Sequence, residues 1–220
     1  MSALSLFCAS SKLILVLVEF SKNKFPLVEW PTLIGTKKEG LAISKIIRAE
    51  LVMGKKATEQ FVLKNQNPKI LHIASHSYFI SNETEKNPLL RSGIVLAGAN
   101  NPNFNNSDDG YLTALEITRL NWEGTELVVI SGCESGKGES QSGEGVFGLK
   151  RSISVAGASS SLLSLWKVDD AGTARFMESF YKKLIKGQSK ADALKNTPVS
   201  YTHLRAHETS LHLVCRLLLE

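Results

Sequence analysis

One stretch constrains this chain more than any other: Leu127-Val128-Val129-Ile130 followed by Ser131-Gly132-Cys133-Glu134-Ser135-Gly136. An apolar run rich in β-branched residues reads as a buried strand. Small and polar residues follow at once, with a cysteine between two glycines. That layout puts a thiol at the carboxyl end of a strand, where open α/β sheets build their sites. A second strand, Ile70-Leu71-His72-Ile73-Ala74, ends the same way and delivers His76. A thiol and an imidazole at two strand ends suggest a nucleophile and its base.

The rest of the chain supplies the matching elements. Leu13-Ile14-Leu15-Val16-Leu17-Val18 reads as an edge or core strand, since the run is far below the roughly 20 residues of a membrane span. Residues 39–53 carry a helical apolar stripe ended by Gly54, and residues 58–64 form a second short helix. Residues 75–91 read as a long polar loop, residues 94–97 as a strand, and residues 100–110 as a surface loop of dense turn chemistry. Thr113 and Glu116 form a capping box opening a helix through Leu120. Residues 145–155 read as a helix, residues 161–166 as a strand and residues 173–186 as a strong helix closed by Gly187. Residues 189–195 start another helix. Strands alternating with helices predict an α/β fold, a mostly parallel sheet with helices on both faces.

The last segment stands apart. Residues 199–209 read Val-Ser-Tyr-Thr-His-Leu-Arg-Ala-His-Glu-Thr, and residues 213–220 read Leu-Val-Cys-Arg-Leu-Leu-Leu-Glu. Both resemble, in order, a translated sequencing adapter, so residues 199–220 are expected to be a non-native tail. Setting them aside removes His203, His207, His212 and Cys215, which leaves Cys8, Cys133, His72 and His76.

Composition narrows the function. Two distant cysteines make no disulfide framework, so a reducing, cytoplasmic setting is expected. The net charge of +5 is dispersed in small lysine clusters. Without aromatic-basic interleaving, it argues against nucleic-acid binding. Nothing calls for a membrane or a cofactor. A zinc site would need more ligands than His72, His76 and Cys133 provide, so no metal is expected.

Position alone leaves Cys133 with two readings of equal weight, a nucleophile in a glycine-flanked turn or a small buried hydrophobe. His72 lies inside an apolar strand and reads as a satisfied core residue. His76 lies past the strand end, where an imidazole can reach a substrate.

The motifs around these residues resemble one family. Residues 70–76 (Ile-Leu-His-Ile-Ala-Ser-His) resemble the histidine motif of the CHAT family, whose members have a caspase-like protease fold, and residues 131–136 resemble its cysteine motif. Residues 87–98, 109–114, 143–148, 164–170 and 187–194 also fit, in order, so the resemblance runs from about residue 35 to residue 197. It implies a caspase-like three-layer sandwich over residues 35–198, expected to be C-terminally truncated. Residues 1–34 are a weakly matched segment, expected to contribute a strand to the same domain.

The resemblance also implies a cysteine endopeptidase acting on a protein target, with Cys133 as nucleophile and His76 protonating the leaving amine. Backbone N–H groups of Ser77 and Cys133 would form the oxyanion hole. In separase relatives a Trp-x-Val-x-Asp segment supplies an acid to the pocket for a basic P1 side chain. Trp166-Lys167-Val168-Asp169-Asp170 matches, which implies Asp170, while capping of the following helix is an equal alternative. Glu134 is a further pocket candidate. An upstream helical-repeat region is the implied partner. A catalytically weak regulatory interaction module is the competing function. Two departures stand out. Ser77 follows His76 where the family usually has glycine, and Gly132 precedes Cys133 where it commonly has alanine. If the residue after His76 needs φ > 0, serine would be strained there.

Overall fold

The computed structural model describes residues 12–17, 30–80, 87–100, 109–132, 138–141, 145–164 and 170–197. Its main sheet contains β1 (Leu13–Leu17), β2 (Glu50–Met53), β3 (Ile70–Ala74), β7 (Leu127–Ser131) and β10 (Ser161–Leu163), in the spatial order β10-β7-β3-β1-β2. Every described pairing in this sheet is parallel. The remaining strands form a small antiparallel sheet of β4 (Ser77–Phe79), β5 (Ser92–Val95) and β6 (Tyr111–Thr113), and a hairpin of β8 (Gly138–Gln141) and β9 (Gly145–Gly148). The helices are α1 (Ile34–Ile47), α2 (Glu59–Lys64), α3 (Ala114–Ile117), α4 (Leu149–Val155), α5 (Asp170–Ile185) and α6 (Lys190–Lys195).

The continuous apolar runs of β1, β3 and β7 follow from burial on both faces, which a parallel sheet requires. Alternation along each strand sends Leu15, Ile70, Leu127 and Val129 to the layer of α1, α5 and α6. It sends Val16, Leu71, Val128 and Ile130 to the layer holding α2, α3, α4 and the small sheet. Helices therefore cover both faces, as the alternating pattern predicts. The capping box is realised, with Glu116 N–H donating to Thr113 Oγ1 at 3.2 Å and Thr113 N–H to Glu116 Oε2 at 2.8 Å.

His72 is a satisfied core residue. Its side chain is 0 % exposed, between Glu39 of α1, 2.9 Å from Nε2, and Tyr181 of α5, 3.0 Å from Nδ1. Burial first, and the Glu39 carboxylate second, hold the Tyr181 phenol well above its ordinary range, so it stays protonated. The phenol then donates to Nδ1, and Nε2–H donates to the carboxylate. One imidazole thus fastens both helices to the middle of β3.

Several elements differ from the sequence reading. The helix expected over residues 39–53 starts at Ile34 and stops at Ile47, because Arg48 adopts a left-handed φ of 51°. Leu51 and Val52 belong instead to β2, paired with β1. Gly40 faces the sheet, where a Cβ would collide with Leu17, and Leu41 beside it is exposed although it belongs to the apolar stripe. The expected loop over residues 75–91 contains β4, and residues 145–148 form a strand before α4 begins. Both are short segments whose partners lie far along the chain or across a turn. α5 begins at Asp170, ahead of Thr173.

Replacing Tyr181 by Phe should remove about 1–3 kcal/mol of stability, because it leaves the Nδ1 lone pair unsatisfied in the core. Urea unfolding of Tyr181→Phe checks this, with a shifted midpoint at unchanged slope as the expected signature.

Candidate active site

β3 and β7 are neighbours, and their last paired rung is Ala74 opposite Ser131. In sequence, His76 and Cys133 each follow that rung by two residues. Cys133 and Glu134 fall outside the described residues, as does Trp166 with most of its motif. Gly132, bonded to Cys133, reports how closely the two strand ends meet. A Cβ on Gly132 would lie 2.5 Å from the Ser75 carbonyl oxygen, 2.8 Å from Ser77 Oγ and 3.3 Å from Ser77 N. The backbone on both sides of His76 therefore crosses directly over the residue before Cys133. Only glycine permits that approach.

The histidine turn is fastened from behind. Ser75 Oγ donates to the Val95 carbonyl, and Val95 N–H donates to the His76 carbonyl at 2.9 Å. Ser77 then enters β4 opposite Ile94. Among the described non-glycine residues only Arg48 and Asn67 have positive φ, so Ser77 carries no left-handed strain. The strain entertained for serine at this position is absent, because the residue after His76 is already extended strand.

The half-buried His76 ring is oriented from in front by a segment that the sequence reading left outside the matched region. Its Nε2 lies 2.7 Å from the Pro31 carbonyl oxygen. A carbonyl only accepts, so Nε2 carries the hydrogen and donates. In the neutral ring, Nδ1 then carries the lone pair. The Trp30 indole lies against the imidazole, with centroids 5.2 Å apart and planes tilted by 38°. An imidazole held this way by a backbone carbonyl is fixed in its ring orientation and its tautomer. Sequence pattern offered no signal for Trp30 or Pro31 beyond the rigidity of proline.

The other predicted site residues divide plainly. Ser77 lies beside Gly132, at the junction of the two strand ends. Asp170 is the first residue of α5. Ser131, whose hydroxyl is buried, has no hydrogen-bond partner for Oγ among the described residues. Next to the site, burial pushes the Tyr78 phenol far up, with Asp109 and Glu116 adding to the shift, so Tyr78 stays neutral there.

A family model described as the CHAT domain matches residues 7–212. The match therefore takes in β1 and also runs into the segment expected to be a non-native tail, which lies outside the described residues. No curated protein matches the chain.

Replacing Gly132 by Ala should cost about 1–3 kcal/mol, since the new methyl group meets a backbone carbonyl that no rotamer change can move. Urea unfolding of Gly132→Ala measures the loss, and an unchanged midpoint would mean that the strand ends are not in contact.

Proposed function

The chain belongs to the CHAT domain family, a caspase-like family, and on that premise we propose that it is a cysteine endopeptidase cleaving a protein target. One observation carries the reading. Strand ends paired at Ala74 and Ser131 are each followed, two residues on in sequence, by His76 and Cys133, and Gly132 meets the backbone around His76.

In this mechanism His76 Nδ1 takes the Cys133 proton, and the thiolate attacks the scissile carbonyl. The Ser77 and Cys133 N–H groups stabilise the resulting oxyanion. The imidazolium gives its proton to the leaving amine. Water then hydrolyses the thioester, with His76 acting as base. The Pro31 carbonyl supports the imidazolium by accepting from Nε2–H throughout.

The test is cleavage of a mixed set of arginyl, lysyl and aspartyl fluorogenic peptides by the full chain. Cys133→Ala and His76→Ala should each fall to background. If the unmodified chain cleaves nothing above Cys133→Ala, the peptidase reading gives way to a regulatory interaction module.

The substrate pocket is proposed to take a basic P1 side chain against Asp170, with Glu134 at its border. A carboxylate paired with a guanidinium in a pocket gives strong, directional discrimination. Asp170→Ala should therefore lower the arginyl-to-aspartyl preference by about 10-fold or more, the loss of at least one charge-assisted contact of about 1.5–3 kcal/mol. An unchanged preference removes Asp170 from the pocket and leaves it as a helix-opening residue.

A further inference from the structure

Two side chains distant from the dyad in sequence hold the segment that orients His76. Trp30 and Pro31 lie outside any helix or strand, so their backbone groups need partners from elsewhere. Asn100 satisfies both polar groups of Trp30. Its Oδ1 accepts the Trp30 N–H at 3.0 Å, and its Nδ2 donates to the Trp30 carbonyl at 3.0 Å. A single amide thus grips the residue as a neighbouring strand would. Proline has a fixed φ, so once Trp30 is held, ψ is the one soft backbone torsion left to aim the Pro31 carbonyl. That carbonyl is the one that accepts from His76 Nε2.

Tyr111 holds the other half of Trp30. Trp30 Nε1–H donates to the Tyr111 hydroxyl at 3.0 Å, which fixes the indole that lies against the imidazole. Tyr111 is itself fixed. Its N–H donates to Asp109 Oδ1 at 2.8 Å, and its ring meets Tyr78 edge-on at 6.0 Å. On β6 it pairs with Val95, whose N–H holds the His76 carbonyl. The contacts close a circuit from His76 through Pro31, Trp30, Tyr111 and Val95 back to His76.

We propose that Asn100 and Tyr111 are positioning residues for the imidazole, acting through Trp30 and Pro31 to keep His76 in the Nε2–H tautomer. This rests on the reading of His76 as the base. Its chemical consequence is specific. An imidazole without an acceptor at Nε2 populates both tautomers, and the one with hydrogen on Nδ1 has no lone pair there for the thiol proton of the proposed mechanism.

The experiment compares Asn100→Ala, Tyr111→Phe and Trp30→Phe in the full chain, with two readouts. Nitrogen NMR of the His76 ring, recorded in the Cys133→Ala background, reads the tautomer without any need for activity. The Nε2–H form should dominate before the clamp substitutions and become a mixture in Asn100→Ala. Peptide cleavage and the rate of Cys133 alkylation are the second readout. In Asn100→Ala, kcat should fall about 10-fold with KM nearly unchanged, as expected for a misplaced reacting group. Tyr111→Phe and Trp30→Phe break the same hydrogen bond, so their double variant should be no worse than Trp30→Phe alone.

Tyr111→Phe removes a single hydroxyl, so it keeps the test valid if Asn100→Ala fails to fold. An imidazole that stays in one tautomer in the folded variants overturns the clamp, whatever the cleavage data show. A chain that cleaves no peptide while its tautomer shifts as expected overturns the peptidase reading and leaves the clamp standing.

Discussion

The parallel pairing of β3 with β7 is the constraint on which the rest of the molecule depends. It runs without interruption from Ile70 opposite Leu127 to Ala74 opposite Ser131. A slip of one residue would exchange the residues that either strand sends to the two core layers and break the packing of both. It would also change which residues meet where the two strands end, at Ala74 and Ser131. The geometry of that edge is therefore set by the same alternation that fills the two core layers.

The interior fixes that register from a second direction. His72 lies on β3 ahead of His76, and its two ring nitrogens are taken up by Glu39 and Tyr181. Each of those residues belongs to a long helix of one layer, α1 or α5. A buried imidazole with a phenol on one side and a carboxylate on the other tolerates no sliding of either helix along the strand, because a displaced partner would leave a polar group unpaired in the core. The two histidines of β3 and its continuation thus divide the work. One is enclosed and holds the frame, and the other is half-buried at the rim with its Nε2 against the Pro31 carbonyl.

Much of this was legible in the sequence, where the signal was local. Apolar runs announced β1, β3 and β7, and the spacing of Phe176, Met177, Phe180, Tyr181 and Leu184 announced the inward face of α5. The Thr113–Glu116 capping box was legible because both its partners lie within one turn. What failed was non-local. β2 continued the apolar period of α1 closely enough to be read as its last turns, and only pairing with β1 makes it a strand. β4 is three residues long and owes its conformation to β5. Trp30, Pro31 and Asn100 carry no period and no motif, since their role consists of contacts across some seventy positions of chain.

Ser77 and Gly132 show how a local reading can count one feature as two. In sequence they are separate departures from the family pattern, a serine in place of the usual glycine and a glycine in place of the common alanine. In space they face each other, with Ser77 Oγ 2.8 Å from the point a Cβ on Gly132 would occupy. The buried serine side chain fills part of the room that an alanine methyl group would need. The extended conformation of Ser77 removes the reason for glycine after the histidine, and the close approach of the Ser75 carbonyl supplies a reason for glycine before the cysteine. Glycine before the cysteine and an extended serine after the histidine together keep the two strand ends in contact.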